Sequence, residues 1–268
     1  MKNLSLAVLV SISLFLITGI SYAQSAKEYY DKGIEYGIEG KFEEAKKEFK
    51  KVPKTDQLYR PAIICLQLTE LALGNKIENE VIVHLFRGTD FSNKGKLDEA
   101  VAEFKKAVSI NPSLIETYLN LGIVYVRKGM LDEAIAEWKK AIAINPNLTD
   151  AHLNLGVAYH SKGMVDDAIT EYKKALSINP NFAEANYNLG IAYGSKGMLD
   201  EEIAEYKKAI SINPNFADAY HNLAMAYLTK KQYDLAIKCC DRAIELGLEV
   251  DPVLLVTLNL YREQRLKK

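Results

Sequence analysis

Little in this sequence supports covalent chemistry. Three cysteines occur in 268 residues, at positions 65, 239 and 240. Cys65 is remote in sequence from the other two, and adjacent cysteines rarely bridge because the geometry is strained, so no disulfide framework is implied. Cys65 and Cys240 are expected as small core residues, and Cys239 as a partly exposed thiol. Of the four histidines, His84, His152, His160 and His221, none forms an i, i+4 pair with another His or with Cys. That leaves out the usual zinc spacing. A phosphate-cradling Gly-rich loop and a nucleophile elbow are also missing. Charge of one sign is missing too: the formal net charge is -1, which gives no bulk attraction for nucleic acid or anionic lipid. The expectation is a protein that is not an enzyme, with no metal, no cofactor and no nucleic-acid partner.

Long apolar runs are confined to one place. Lys2 precedes an uncharged stretch from Leu4 to Ile20, and Ser21 and Ala23 then put small residues one position apart before Gln24. Such a segment reads as a cleaved secretory signal over residues 1–23. An uncleaved anchor fits less well, because the run is at the short limit for a span. The segment predicts an exported protein of a bacterial periplasm, with no membrane insertion after cleavage.

What the chain does have is repetition. Ile115 to Leu148 comes back as Thr149–Phe182, Ala183–Phe216 and Ala217–Val250, and Ile115–Leu148 and Ala183–Phe216 agree at 23 of 34 positions. Within Thr149–Phe182, Leu153, Leu155, Val157, Ala158 and Tyr159 belong to one helix. Ala168, Ile169, Tyr172, Ala175, Leu176 and Ile178 recur at spacings of three and four and make a second. Gly163 separates them as a left-handed helix stop. Gly156 is expected to face Ala168, two small residues that let the helices approach. Asn145-Pro146, Asn179-Pro180 and Asn213-Pro214 close successive units. One helix pair leaves an apolar face bare, and the next pair covers it.

Residues 26–52 keep the same spacing through Gly33, Tyr36, Gly40, Ala45 and Phe49. A helix is predicted over Arg60–Leu73, and the period then breaks between Gly74 and Gly95. The next first helix is expected over Glu80–Ser92, with Arg87 where Leu121 stands later. The organisation predicted is a degenerate repeat region at 24–78 and an array at 79–250, with units near 81–114, 115–148, 149–182, 183–216 and 217–250. A capping helix with a basic tail follows at 251–268, starting on Asp251-Pro252.

The spacing Leu155, Gly156, Tyr159, Gly163, Ala168, Tyr172, Ala175, Pro180 resembles the tetratricopeptide repeat. It recurs at Leu121, Gly122, Tyr125, Ala134, Trp138, Ala141, Pro146 and at Leu189, Gly190, Tyr193, Tyr206, Ala209, Pro214. The resemblance implies an all-α, right-handed superhelical solenoid of antiparallel helix pairs, about five to six repeats plus a C-terminal capping helix. It also implies that first helices line a concave groove in which such proteins bind peptides or protein segments. Glu202 departs from the pattern, standing where Ala134, Ala168 and Ala236 stand. A carboxylate at a tight helix crossing is costly unless paired or turned outward.

First-helix positions that packing leaves free are the candidate site. They are Leu119, Asn120, Ile123 and Arg127; Leu153, Asn154, Val157 and His160; Tyr187, Asn188 and Ile191; and His221, Asn222 and Met225. Asn120, Asn154, Asn188 and Asn222 recur at one register, and an amide can both donate to and accept from the backbone of an extended peptide. The same amides could instead tie adjacent helices together. Glu116, Asp150, Glu184 and Asp218 would repel an acidic C-terminus, so the expected ligand is an extended segment with apolar and basic side chains. Two further readings are a structural or self-assembling spacer, and an enzyme centred on the joint near 60–95, where no catalytic constellation lies.

Overall fold

The computed structural model describes residues 25–74 and 76–266, so the signal predicted at 1–23 lies outside the described residues. Every regular element among them is a helix. Residues 25–38 form α1, followed by α2 (Phe42–Phe49), α3 (Tyr59–Leu73), α4 (Asn79–Asn93), α5 (Leu97–Ile110) and α6 (Ile115–Arg127). Then come α7 (Leu131–Ile144), α8 (Thr149–Ser161), α9 (Val165–Ile178), α10 (Ala183–Ser195) and α11 (Leu199–Ile212). The chain ends with α12 (Ala217–Thr229), α13 (Tyr233–Glu245) and α14 (Pro252–Leu266). The helices gather into two compact units, one ending at Lys128 and one beginning at Gly129.

In the C-terminal unit the sequence dictates the pairs closely. Pro146, Pro180 and Pro214 disfavour helix at the residue before them, and Asn179 and Asn213 accordingly take extended backbone where α9 and α11 end. The side-chain oxygens of Asn145, Asn179 and Asn213 each accept from the backbone N–H two residues on, which fixes the turn. α8 pairs with α9, α10 with α11 and α12 with α13. The core is built from the inner faces of the second helices: Ala168, Tyr172 and Ala175 on α9, Ile203, Tyr206 and Ala209 on α11, and Ala236, Cys240 and Ala243 on α13, all buried. Val250, Leu254 and Leu258 extend that core into α14, which caps the unit. Tyr261 stacks on Tyr233 at 4.4 Å, and Arg262 pairs with Asp241, tying α14 to α13.

One expectation about packing is corrected here. The atom nearest to where a Gly156 side chain would begin is Cε1 of Tyr172, at 2.5 Å, and not Ala168. Gly190 has the same relation to Tyr206, at 2.6 Å. The glycine makes room for the tyrosine ring of the second helix.

Successive units are tied at the surface by repeating polar contacts. Lys162, Lys196 and Lys230 end first helices and pair with Asp132, Asp166 and Asp200 of the preceding second helices. Those aspartates are largely exposed, so each pair is worth only tenths of a kcal/mol, about 0.2–1. Lys139, Lys173 and Lys207 lie over the rings of Tyr159, Tyr193 and Tyr227 at 5.5–5.7 Å. Gly163 and Gly197 turn between helices with φ of 76° and 71°. Lys231 holds the same register with φ 59°, a conformation that costs a residue with a Cβ roughly 1 kcal/mol. Lys231→Gly is therefore expected to stabilise the protein by about 0.5–1 kcal/mol, read as a higher melting temperature.

The N-terminal unit departs from the repeat. Gly33 receives Phe49 and Gly88 receives Phe104, so α1–α2 and α4–α5 keep the internal geometry of a repeat. Yet α4 does not continue the stack. Phe86 sits over Gly37 and stacks on Phe49 at 5.9 Å, while Asn93 reaches Tyr30. Seven residues forward on α4 thus correspond to seven back on α1, so the two helices run antiparallel. In regular repeats successive first helices run parallel, and Arg127 at the end of α6 accordingly meets Ser92 near the end of α4. The broken period is the chain's way of inserting α3 and reversing direction. Cys65 of α3 is buried against Tyr30, and its thiol is pushed up to about 12 by burial.

Candidate functional site

In the C-terminal unit the first helices α8, α10 and α12 lie side by side, and their free positions fall into rows. Val157, Ile191 and Met225 share one register; Val157 is 41% exposed and Met225 39%, with Ile191 half-buried. The half-buried amides of Asn154, Asn188 and Asn222 form the next row, and Leu153, Tyr187 and His221 the one beneath. Apolar groups left in water beside a row of amides are what an extended backbone needs, side chains on one line and hydrogen bonds on the next.

The amides are not equivalent. Asn222 donates to the Tyr187 hydroxyl at 3.1 Å and so ties α12 to α10. Asn188 donates to the Glu184 carbonyl of its own helix at 2.8 Å. No hydrogen bond to the described residues occupies the amide of Asn154, or that of Asn120 in the N-terminal unit. One amide of the row is thus a tie between helices, one is turned back on its own helix, and two make no hydrogen bond to the described residues. His160 is also a tie, its Nε2 3.0 Å from the Ser195 hydroxyl. The Nδ1 of His221 is buried without a partner among the described residues.

On α6, Ile123 is 45% exposed and Leu119 and Asn120 are half-buried, as a ligand-facing stripe requires. Arg127 is different, because it donates to both the carbonyl and the hydroxyl of Ser92 at 2.6 Å. Its guanidinium is committed to holding α6 on α4. The amide row does not extend back to α4, since Phe86 takes the register of Asn120 and is buried against Phe49.

Sequence reasoning missed one feature of the helix pairs. His84 and His152 contact Glu103 and Glu171 at 2.7 and 2.6 Å, each pair buried between the helices of its own repeat. His152 is held at its other nitrogen by the Pro146 carbonyl at 3.0 Å. The signal was present as His and Glu 19 residues apart, twice, 68 residues on. Glu202, which the sequence marks as a departure from the repeat, is neither paired with a cation among the described residues nor fully exposed. It is half-buried, its carboxylate lies over Gly194, and burial pushes its pKa up, with the Tyr206 hydroxyl acting in the opposite direction. A carboxyl with a raised pKa destabilises the charged fold. The protein gains stability as pH falls through that raised value, down to the ordinary carboxylate range. Glu202→Gln is accordingly expected to melt above the wild type at pH 7 and to lose that advantage in acid, which paired thermal melts at pH 7 and pH 4 would read.

No group of three or more His, Cys, Asp or Glu among the described residues is placed to hold a metal ion. No described helix is long and apolar enough to cross a membrane.

Family models described as TPR repeat match residues 88–129, 124–163 and 158–197, and others described as tetratricopeptide repeat match 183–216 and 205–238. The chain belongs to the tetratricopeptide repeat family. Among solved tetratricopeptide and related structures, a MamA crystal structure is 34% identical over 60% of this chain and 94% of its own, with a TM-score of 0.56. YrrB, described as a TPR protein with an unusual peptide-binding site, is 26% identical over 73% of this chain and 98% of its own, TM-score 0.55. Pseudomonas aeruginosa pilF is 18% identical over 70% and 86%, TM-score 0.64, and shares the fold. No curated protein matches the sequence significantly. As a tetratricopeptide repeat protein the chain is a protein-interaction scaffold.

Proposed function

We propose that the face formed by α8, α10 and α12 binds an extended peptide or protein segment, and that the protein works as an exported scaffold in a bacterial periplasm. The observation that carries this reading is the register of Val157, Ile191 and Met225, solvent-facing apolar side chains one repeat apart beside the amides of Asn154, Asn188 and Asn222. The amides hold backbone, the apolar row selects side chains, and Asp150, Glu184 and Asp218 in the first turns bias the choice toward basic segments. Leu119, Asn120 and Ile123 on α6 offer the same chemistry. The described peptide-binding site of YrrB supports the class of ligand.

Selection of random displayed dodecapeptides on the chain without residues 1–23 tests it. Enrichment of extended sequences with apolar and basic residues is expected; a preference for acidic C-termini would overturn the reading. A self-assembling spacer is the second reading, and α14 favours it, because Val253, Val256 and Leu260 leave one stripe of that helix exposed. A concentration-dependent mass with no peptide selected would point to this second role.

A further inference from the structure

We propose that Glu202 is an acidic subsite that takes the Lys or Arg side chain of a bound segment; this rests on the peptide-binding reading above. Six second helices carry a residue at this register: Ala45, Ala100, Ala134, Ala168, Glu202 and Ala236. The five alanines are fully buried at their helix crossings. Only the sixth is a carboxylate, and it is accommodated by a second change on the facing helix. Gly194 stands where Val126, His160 and Leu228 stand in the neighbouring first helices. A Cβ at Gly194 would lie 2.9 Å from the Glu202 carboxyl carbon and 3.0 Å from each oxygen. Gly37 holds the same register and likewise houses an inserted side chain, Phe86. The glycine opens a slot and the glutamate fills it.

No described residue neutralises that carboxylate. No Lys, Arg or His pairs with it among the described residues, and the group acting on it is the neutral Tyr206 hydroxyl. Tyr206 in turn meets Asn222, and Asn222 bonds Tyr187, so the slot joins the amide row through a chain of uncharged groups. Gly194 lies one turn beyond Ile191, on the same first helix as the apolar row. A half-buried charge without a counterion weakens the fold, and an alanine would serve packing better. An incoming ammonium or guanidinium supplies the missing counter-charge and would be held by a charge-assisted hydrogen bond. Glu184 and Asp218, exposed in the first turns of α10 and α12 at the other end of the face, attract the same sign.

The test uses the peptides selected on the chain without residues 1–23, resynthesised with each Lys or Arg replaced by norleucine. Binding is measured by fluorescence polarisation to wild type, Glu202→Gln and Gly194→Ala, with circular dichroism as the folding control. The expected result is one basic position whose replacement weakens wild-type binding about tenfold and Glu202→Gln binding little. Gly194→Ala, which displaces the carboxylate without removing it, should weaken the same position. Peptides that bind with no such position, or whose basic position matters equally in Glu202→Gln, overturn this subsite and leave the binding face standing. Selection of no peptide overturns both.

Discussion

Gly156→Ala is expected to destabilise the protein by about 1 kcal/mol net, although alanine is the better helix former. On an exposed helix the change would gain about 0.8–1 kcal/mol. Here the new methyl would lie 2.5 Å from Cε1 and 2.7 Å from Cδ1 of Tyr172. That ring is 2% exposed and enclosed between helices, so it cannot swing away. Overpacking of this kind costs about 1–3 kcal/mol, sometimes more, and it outweighs the propensity gain. Gly190→Ala repeats the experiment one unit on, against Tyr206. Both variants should melt roughly 2–4 °C lower by circular dichroism. A rise in melting temperature at both sites would mean the rings are not seated on these glycines.

The second large effect concerns binding. Val157→Arg together with Met225→Arg is expected to weaken selected peptides at least about a hundredfold, roughly tenfold per site, or 1.4 kcal/mol each. Both side chains already meet solvent in the free protein. An arginine there can run its stem along the surface and keep its charge in water, so the helical signal and melting temperature should change little. Once a segment covers the face, each guanidinium must be buried unpaired or must block the approach. The basic ligands expected for this face would also be repelled.

Most of the pair geometry is legible in the sequence, because the signals are local. Asn-Pro dipeptides stop the second helices, glycines at left-handed positions stop the first ones, and apolar spacing gives the packed faces. What is not legible depends on side chains meeting across the fold. Phe86 reads as a mismatch in a first helix; only the reversal of α4 against α1 explains why an aromatic stands at the register of an amide. Arg127 and His160 read as ligand-facing because they share the exposed stripe, yet each spends its polar end on a neighbouring helix. Spacing cannot separate an amide that waits for a ligand from one that bonds Tyr187, and Asn154 and Asn222 differ in this way. Glu202 was visible as an anomaly, and the matching Gly194 was visible too. Linking them required knowing that second-helix register 202 lies against first-helix register 194.

The central claim, that a segment lies along the first-helix face, is tested most directly by photo-crosslinking. A benzophenone side chain is placed in turn at Val157, at Met225 and at Ile244, an exposed apolar position on the second helix α13. Each variant is irradiated with a selected labelled peptide. Crosslinks from Val157 and Met225, with little from Ile244, are the result predicted here. Crosslinks from Ile244 alone, or equal yields from all three positions, would contradict it.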